Sequence, residues 1–238
     1  MNRFLTIVCV HGVGLWPGLF DDLDFGSPAV SAIRPGYGGV AAVADLDEQV
    51  TVVAELIAAR APAAMVGVSG GATLTLACAA AGVPGLVAAV SHEPLIGHLE
   101  PKIDDRVRAG ALALEADPTA AAATAFLQGL YGEQSWQGMP AAALDWAADH
   151  VDSVCREVRH FGEYQPSSVE LRHFPVPHLT TVGAHSNAAR HRVTALLERG
   201  GARTAVIDGS GHHVLIDQPA SFASTVRHFL SEVTDVGA

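Results

Sequence analysis

Hydrophobic and polar positions along this chain fall into blocks whose period switches between that of a buried strand and that of a helix. The first apolar run, residues 5–10, reads as a strand, and a loop rich in Gly, Trp and Pro follows it. A short strand near residues 29–33 ends in the turn cluster RPGYGG. Over residues 45–60 the apolar side chains Val50, Val53, Leu56 and Ile57 recur at helical spacing. A strand at 64–68, a small-residue helix at 72–81 and a strand at 86–91 make a second βαβ run, which predicts a parallel sheet with right-handed crossovers. After Pro94 the pattern changes. Residues 103–158 are Ala-rich and helical, with breaks expected at Pro118, Gly129, Gly132 and Pro140 and no strand signal. Strand 178–182, helix 188–199, strand 204–207 and helix 221–232 then resume the alternation. The pattern predicts an α/β core over 1–96 and 175–238, a helical cap over 97–174, and a site between them.

Composition narrows the partners. A formal charge of −11, from 14 Lys and Arg against 25 Asp and Glu, supplies no basic face for nucleic acid or an anionic membrane. A small or uncharged ligand suits that charge better, and with 49% hydrophobic and 16% charged residues the composition is that of a globular chain. Arg3 ahead of the first apolar run resembles a signal peptide, but that run is at the short limit and lacks a small-residue cleavage site. No run approaches the roughly 20 apolar residues of a membrane span. Cys9, Cys78 and Cys155 are far apart and odd in number, so no disulfide framework or zinc knuckle is indicated, and a reducing cytoplasm is the default. The oligomeric state stays open, a homodimer included.

Chemistry concentrates in three glycine-rich stretches. Gly67-Val68-Ser69-Gly70-Gly71 places Ser69 at a strand-to-helix corner in the G-x-S-x-G form, which lifts a serine hydroxyl above a sheet edge. In a chain with 24 glycines, an ordinary tight turn is the competing reading. The stretch DGSGHH brings His212 to the carboxyl end of a later strand, where open parallel sheets bind ligands. His212 is the expected base, with His213 as the fallback, although any one of 12 histidines can be a surface residue. The stretch VCVHGVG leaves the first strand with His-Gly and places backbone amides near the serine that, with the amide of Gly70, can hold an oxyanion, while His11 ties the loop down.

An acid to orient His212 is missing from the segment after the cap, TTVGAHSNAARH, which holds no carboxylate. Glu93 in AVSHEPLIG follows an apolar strand directly, and a carboxylate there is costly to bury without a partner. His212 is the natural one. The rivals are Asp208, otherwise a turn residue, and Asp217, otherwise a helix cap.

With HGVG, GVSGG and GSGHH in family order, the chain resembles the α/β-hydrolase fold over nearly its whole length. It is more closely similar to the zearalenone-type lactone hydrolases, on the glutamate of SHEPL and the acid-free strand end of TTVGAHS. That resemblance implies a cofactor-free serine hydrolase opening a macrolactone beneath a helical cap. It also implies a triad of Ser69, Glu93 and His212 and oxyanion amides at Gly12, Val13 and Gly70. The cap diverges too far to carry over substrate contacts. Tyr131, Trp136 and Trp146, with Phe126 and Tyr164, are candidates to line an apolar pocket, though aromatics at helical spacing also serve as core. Two other classes share the fold, a lyase or cyclase using the same cavity and a receptor-like binding module with a vestigial serine.

Overall fold

Six strands form one sheet: β1 (Thr6–Val10), β2 (Ala29–Ala32), β3 (Ala63–Val68), β4 (Leu86–His92), β5 (His178–Gly183) and β6 (Arg203–Ile207). Their spatial order is β2-β1-β3-β4-β5-β6, and every neighbouring pair is parallel. This computed structural model describes residues 5–96, 99–167 and 171–235. Residues 97, 98 and 168–170 of the expected cap lie outside them. The inner strands β3 and β5 are buried at every position, as strands covered by crossover helices must be.

The first two helices are α1 (Leu46–Ala58) and α2 (Gly70–Ala80). Asp45 caps α1 by accepting the Glu48 amide proton at 2.9 Å, so the expected helix begins one residue later than its periodicity implied. α2 packs backbone against backbone on the sheet. A Cβ on Gly67 would lie 2.3 Å from the Gly71 carbonyl oxygen, and one on Gly71 would lie 2.2 Å from that of Val10. That closeness explains the small residues of GGATLTLACAA and fixes Ser69 at the junction.

Between β4 and β5 lie α3 (Pro101–Ala116), α4 (Ala120–Tyr131), α5 (Glu133–Gln137), α6 (Ala141–Asp149) and α7 (Val151–Glu163). Three of the four expected breaks occur, at Pro118, Gly132 and Pro140. Gly129 does not break its helix but sits inside α4, where a single glycine costs only about 1 kcal/mol relative to alanine. α3 packs on α7, α4 on α6, and α7 reaches α2 in the core. After β5 come α8 (Ala188–Arg199), a one-turn α9 (Val214–Asp217) and α10 (Pro219–Asp235). Among the described residues no helix is long and apolar enough to cross a membrane, and all three cysteines are free.

Candidate active site

Because β3 ends at Val68 and α2 starts at Gly70, Ser69 must turn the chain in a single residue. It does so with φ 54° and ψ −121°, a left-handed conformation that costs a non-glycine residue roughly 1–3 kcal/mol. The corner is held from both sides. The Ser69 amide donates to the His92 carbonyl at 2.9 Å, and the Ser69 carbonyl accepts from the Thr73 amide at 3.1 Å.

Glu93 leaves β4 in the same way, with φ 49°, and its amide donates to the Thr181 carbonyl of β5 at 3.1 Å. Neighbouring strand ends are thus laced together, and their side chains converge. His212 Nε2 lies 3.1 Å from Ser69 Oγ, and His212 Nδ1 lies 2.7 Å from Glu93 Oε2. The rival carboxylates are elsewhere. Asp208 is exposed, and Asp217 accepts the Gly211 amide proton at 2.8 Å and the Ser135 hydroxyl proton at 2.7 Å, bracing the histidine loop against α5. His213 is buried edge-on to Tyr131, with ring centroids 4.7 Å apart, and makes no bond to Ser69.

The segment that lacks an acid proves to be the socket for Glu93. The Gly183 amide donates to Oε1 at 2.9 Å, the Ser186 hydroxyl donates to the same oxygen, and Arg190 Nε reaches Oε2 at 3.1 Å. Arg190 also donates to the Glu93 carbonyl at 3.3 Å. None of these partners was identifiable from sequence; the available signal was only that TTVGAHSNAAR is rich in donors where a carboxylate was sought.

Burial alone would raise the Glu93 carboxyl, but Arg190 and His212 outweigh it and hold the group well below the usual carboxylate range. Burial first, and then the Arg190 charge, push His212 down to about 3 against the opposing pull of Glu93. His212 is therefore neutral near pH 7, the form that accepts a proton.

The loop after β1 lies against the serine. A Cβ on Gly12 would meet Ser69 Cβ at 3.0 Å, and one on Gly70 would meet Val13 Cγ2 at 3.0 Å. The expected amide donors thus share one corner with Ser69. His11 ties this loop, as expected, through Nδ1 at 2.9 Å from the Gly12 carbonyl.

The aromatic candidates separate. Tyr131 stacks on His212 at 6.0 Å between centroids and donates to the Val13 carbonyl at 2.7 Å. With Leu15, Val68, Val214 and Leu215 it closes a void of about 10 Å³ at Ser69, which is 2% exposed. Trp146 is not at that void but stacks on Tyr37 at 6.0 Å, behind the β1 loop. Trp136 and Tyr164 pack against the core, and Phe126 lines a cavity of about 620 Å³ between α3, α4 and α8. The reason is helical phase: α4 turns Tyr131 toward His212 and Phe126 away from it. Among the described residues no group of three or more His, Cys, Asp or Glu side chains is arranged to hold a metal.

A sharp serine corner after a parallel strand, with an acid at the end of the neighbouring strand β4 and a histidine in the loop after β6, is the arrangement of a known fold class. The profile of the alpha/beta hydrolase family matches residues 7–225, and the chain belongs to that family. No curated protein matches it in sequence. Among solved structures it is similar to MGS-M2, an alpha/beta hydrolase enzyme from a Medee basin deep-sea metagenome library. That match has a TM-score of 0.80 at 15% identity, covering 97% of this chain and 90% of the other. The enol-lactonase from Burkholderia xenovorans LB400 gives 0.77 at 19% identity, covering 97% and 92%. A thermophilic esterase from Thermogutta terrifontis gives 0.75 at 15% identity, covering 96% and 90%. At such identities the likeness is one of fold.

Proposed function

We propose that this protein is a serine hydrolase that cleaves carboxylic esters or lactones through an acyl-enzyme on Ser69. The observation that carries the reading is the continuous hydrogen-bond chain Ser69 Oγ, His212 Nε2, His212 Nδ1 and Glu93 Oε2, with separations of 3.1 and 2.7 Å. His212 takes the Ser69 proton as the oxygen attacks the substrate carbonyl. Glu93 fixes the imidazole tautomer and stabilises the imidazolium that forms. The amides of Val13, in the loop after β1, and of Gly70, at the start of α2, face the developing oxyanion, a role typically worth about 3 kcal/mol per donor. The proton passes from His212 to the leaving oxygen, and water, deprotonated by the same imidazole, releases the acid.

Leu15, Val68, Tyr131, Val214 and Leu215 surround Ser69 with apolar side chains, which suits an uncharged ester or lactone. The esterase and enol-lactonase neighbours are in keeping with that class. A macrolactone of the zearalenone type is the finer reading, and its support is the SHEPL and TTVGAHS resemblance together with the Glu93 socket that those stretches build. The test is a panel of aryl esters and lactones, with products identified by mass and with Ser69→Ala beside the native chain. Acid and alcohol products that vanish in Ser69→Ala are expected; rearranged or isomeric products, or turnover kept in the variant, would overturn the reading.

A further inference from the structure

The two peptide planes that flank Val13 are gripped by side chains from distant parts of the chain. Arg34 Nη2 donates to the Gly12 carbonyl at 3.0 Å. Tyr37 Oη accepts the Gly14 amide proton at 3.0 Å, and Tyr131 Oη donates to the Val13 carbonyl at 2.7 Å. Glu157 of α7 anchors the first two: its Oε2 accepts from Arg34 Nη2 at 2.8 Å and from Tyr37 Oη at 2.6 Å, while its Oε1 is ion-paired with Arg34 Nη1. Arg34 is fully buried, with its guanidinium carbon 5.5 Å from the Tyr37 ring and 5.7 Å from that of Phe161.

A trans peptide is planar, so its carbonyl and its N–H point in opposite directions. Drawing the Gly12 carbonyl toward Arg34 therefore turns the Val13 N–H away from Arg34. Ser69 borders this loop, since a Cβ on Gly12 would touch Ser69 Cβ. A buried ion pair is a poor way to gain stability, because an apolar pair of similar volume often does as well or better. Arg34 and Glu157 hold a backbone orientation that no apolar pair can hold. We infer that Arg34, locked by Glu157 and Tyr37, is a positioning residue that fixes the Gly12–Val13 peptide so that the Val13 amide meets the oxyanion. Glu157 lies on α7, so the inserted helices set the geometry of the amide loop as well as covering it. The effect on rate rests on the ester-hydrolase reading, whereas the effect on the peptide plane does not.

The test is the double variant Arg34→Met/Glu157→Met, which removes both buried charges together, with Tyr37→Phe as a milder second variant. Both are measured by 15N-resolved NMR at Val13 and Gly14 and by ester kinetics. The expected result is a folded double variant with a Tm near that of the native chain. Its Val13 amide should be displaced and broadened, and its kcat on an aryl acetate should be about 10- to 100-fold lower with little change in KM. That range lies below the full loss of one oxyanion donor, because His11 and the Leu15 amide keep their bonds to the Gly12 carbonyl. Tyr37→Phe should move the Gly14 amide and lower kcat less. An unmoved Val13 amide in the folded double variant, or an unchanged kcat, would overturn the inference. If the native chain hydrolyses no ester, the hydrolase reading fails, while the NMR comparison still decides whether Arg34 holds the peptide.

Discussion

Ser69 opens onto a void of about 10 Å³, whereas the cavity between α3, α4 and α8 measures about 620 Å³ and touches neither Ser69 nor His212. The first is roughly the room for one water, the second the size of a small-molecule site. They share a wall, since α4 presents Tyr131 to the first and Phe126 and Leu130 to the second. Chemistry and volume are thus held apart by one helix. The strand ends build the Ser69–His212–Glu93 chain from rigid backbone corners, while the space bounded by α3, α4 and α8 is lined by none of those three residues. Arg190 connects the two, since it lines the large cavity and reaches Glu93.

The largest effect expected is at the small void. Ser69→Ala should lower ester turnover by at least about 10⁴-fold, since it removes the covalent step, and should leave the urea midpoint nearly unchanged. Glu93→Gln comes next. It should reduce kcat by roughly 10²- to 10⁴-fold through the wrong imidazole tautomer. It should also destabilise the fold by about 3–5 kcal/mol, because Arg190 keeps a buried charge without its counter-ion. Asp208→Asn should change kcat by less than about twofold, since Asp208 is exposed and remote from the chain of bonds.

The pH dependence follows from the position of His212, which sits at about 3 rather than at the usual histidine value near 6.5. The rate rise that an ordinary histidine would place between pH 6 and 8 should move below pH 6, leaving kcat/KM flat from pH 6 to 8. A midpoint near pH 7 in that profile would show a solvated His212. Stability has the matching sign. Between about pH 6.5 and 3 the unfolded chain binds a proton that folded His212 refuses, so stability falls as pH falls through that window. Glu93, held well below its ordinary value, adds to the loss once pH drops below about 4.3.

The smallest effect expected is at the large cavity. A Cβ on Gly129 would meet nothing within 4 Å, so Gly129→Leu can project into the open space. It should raise Tm by about 2–4 °C through helix propensity and leave small aryl ester hydrolysis unchanged. A loss of that activity would show that the two spaces communicate.

How much could be read in advance differs between the same two regions. Ser69, His212 and Glu93 were legible because each sits at a strand end with its own local signature, namely the glycines around Ser69, the GSGHH loop and a carboxylate directly after an apolar run. The element order and most boundaries were legible for the same local reason. The partners of Glu93 were not, because Gly183, Ser186 and Arg190 become a socket only when β4 and β5 pair. Trp146 and Trp136 do not line the void at Ser69, which helical spacing cannot reveal because it shows which positions share a face, not which neighbour that face meets. Arg34, Tyr37 and Glu157 left no trace at all, since they lie up to 123 residues apart and meet only through the packing of α7 on the core.

If Ser69 is the nucleophile, an electrophilic phosphonate should capture it covalently. The native chain and Ser69→Ala would each be incubated with an aryl fluorophosphonate and digested, and the adduct would be located by mass spectrometry. One stoichiometric phosphonyl adduct is expected on Ser69 in the native chain and none in Ser69→Ala. Labelling on another residue, or no labelling of a chain that still hydrolyses esters, would contradict that assignment.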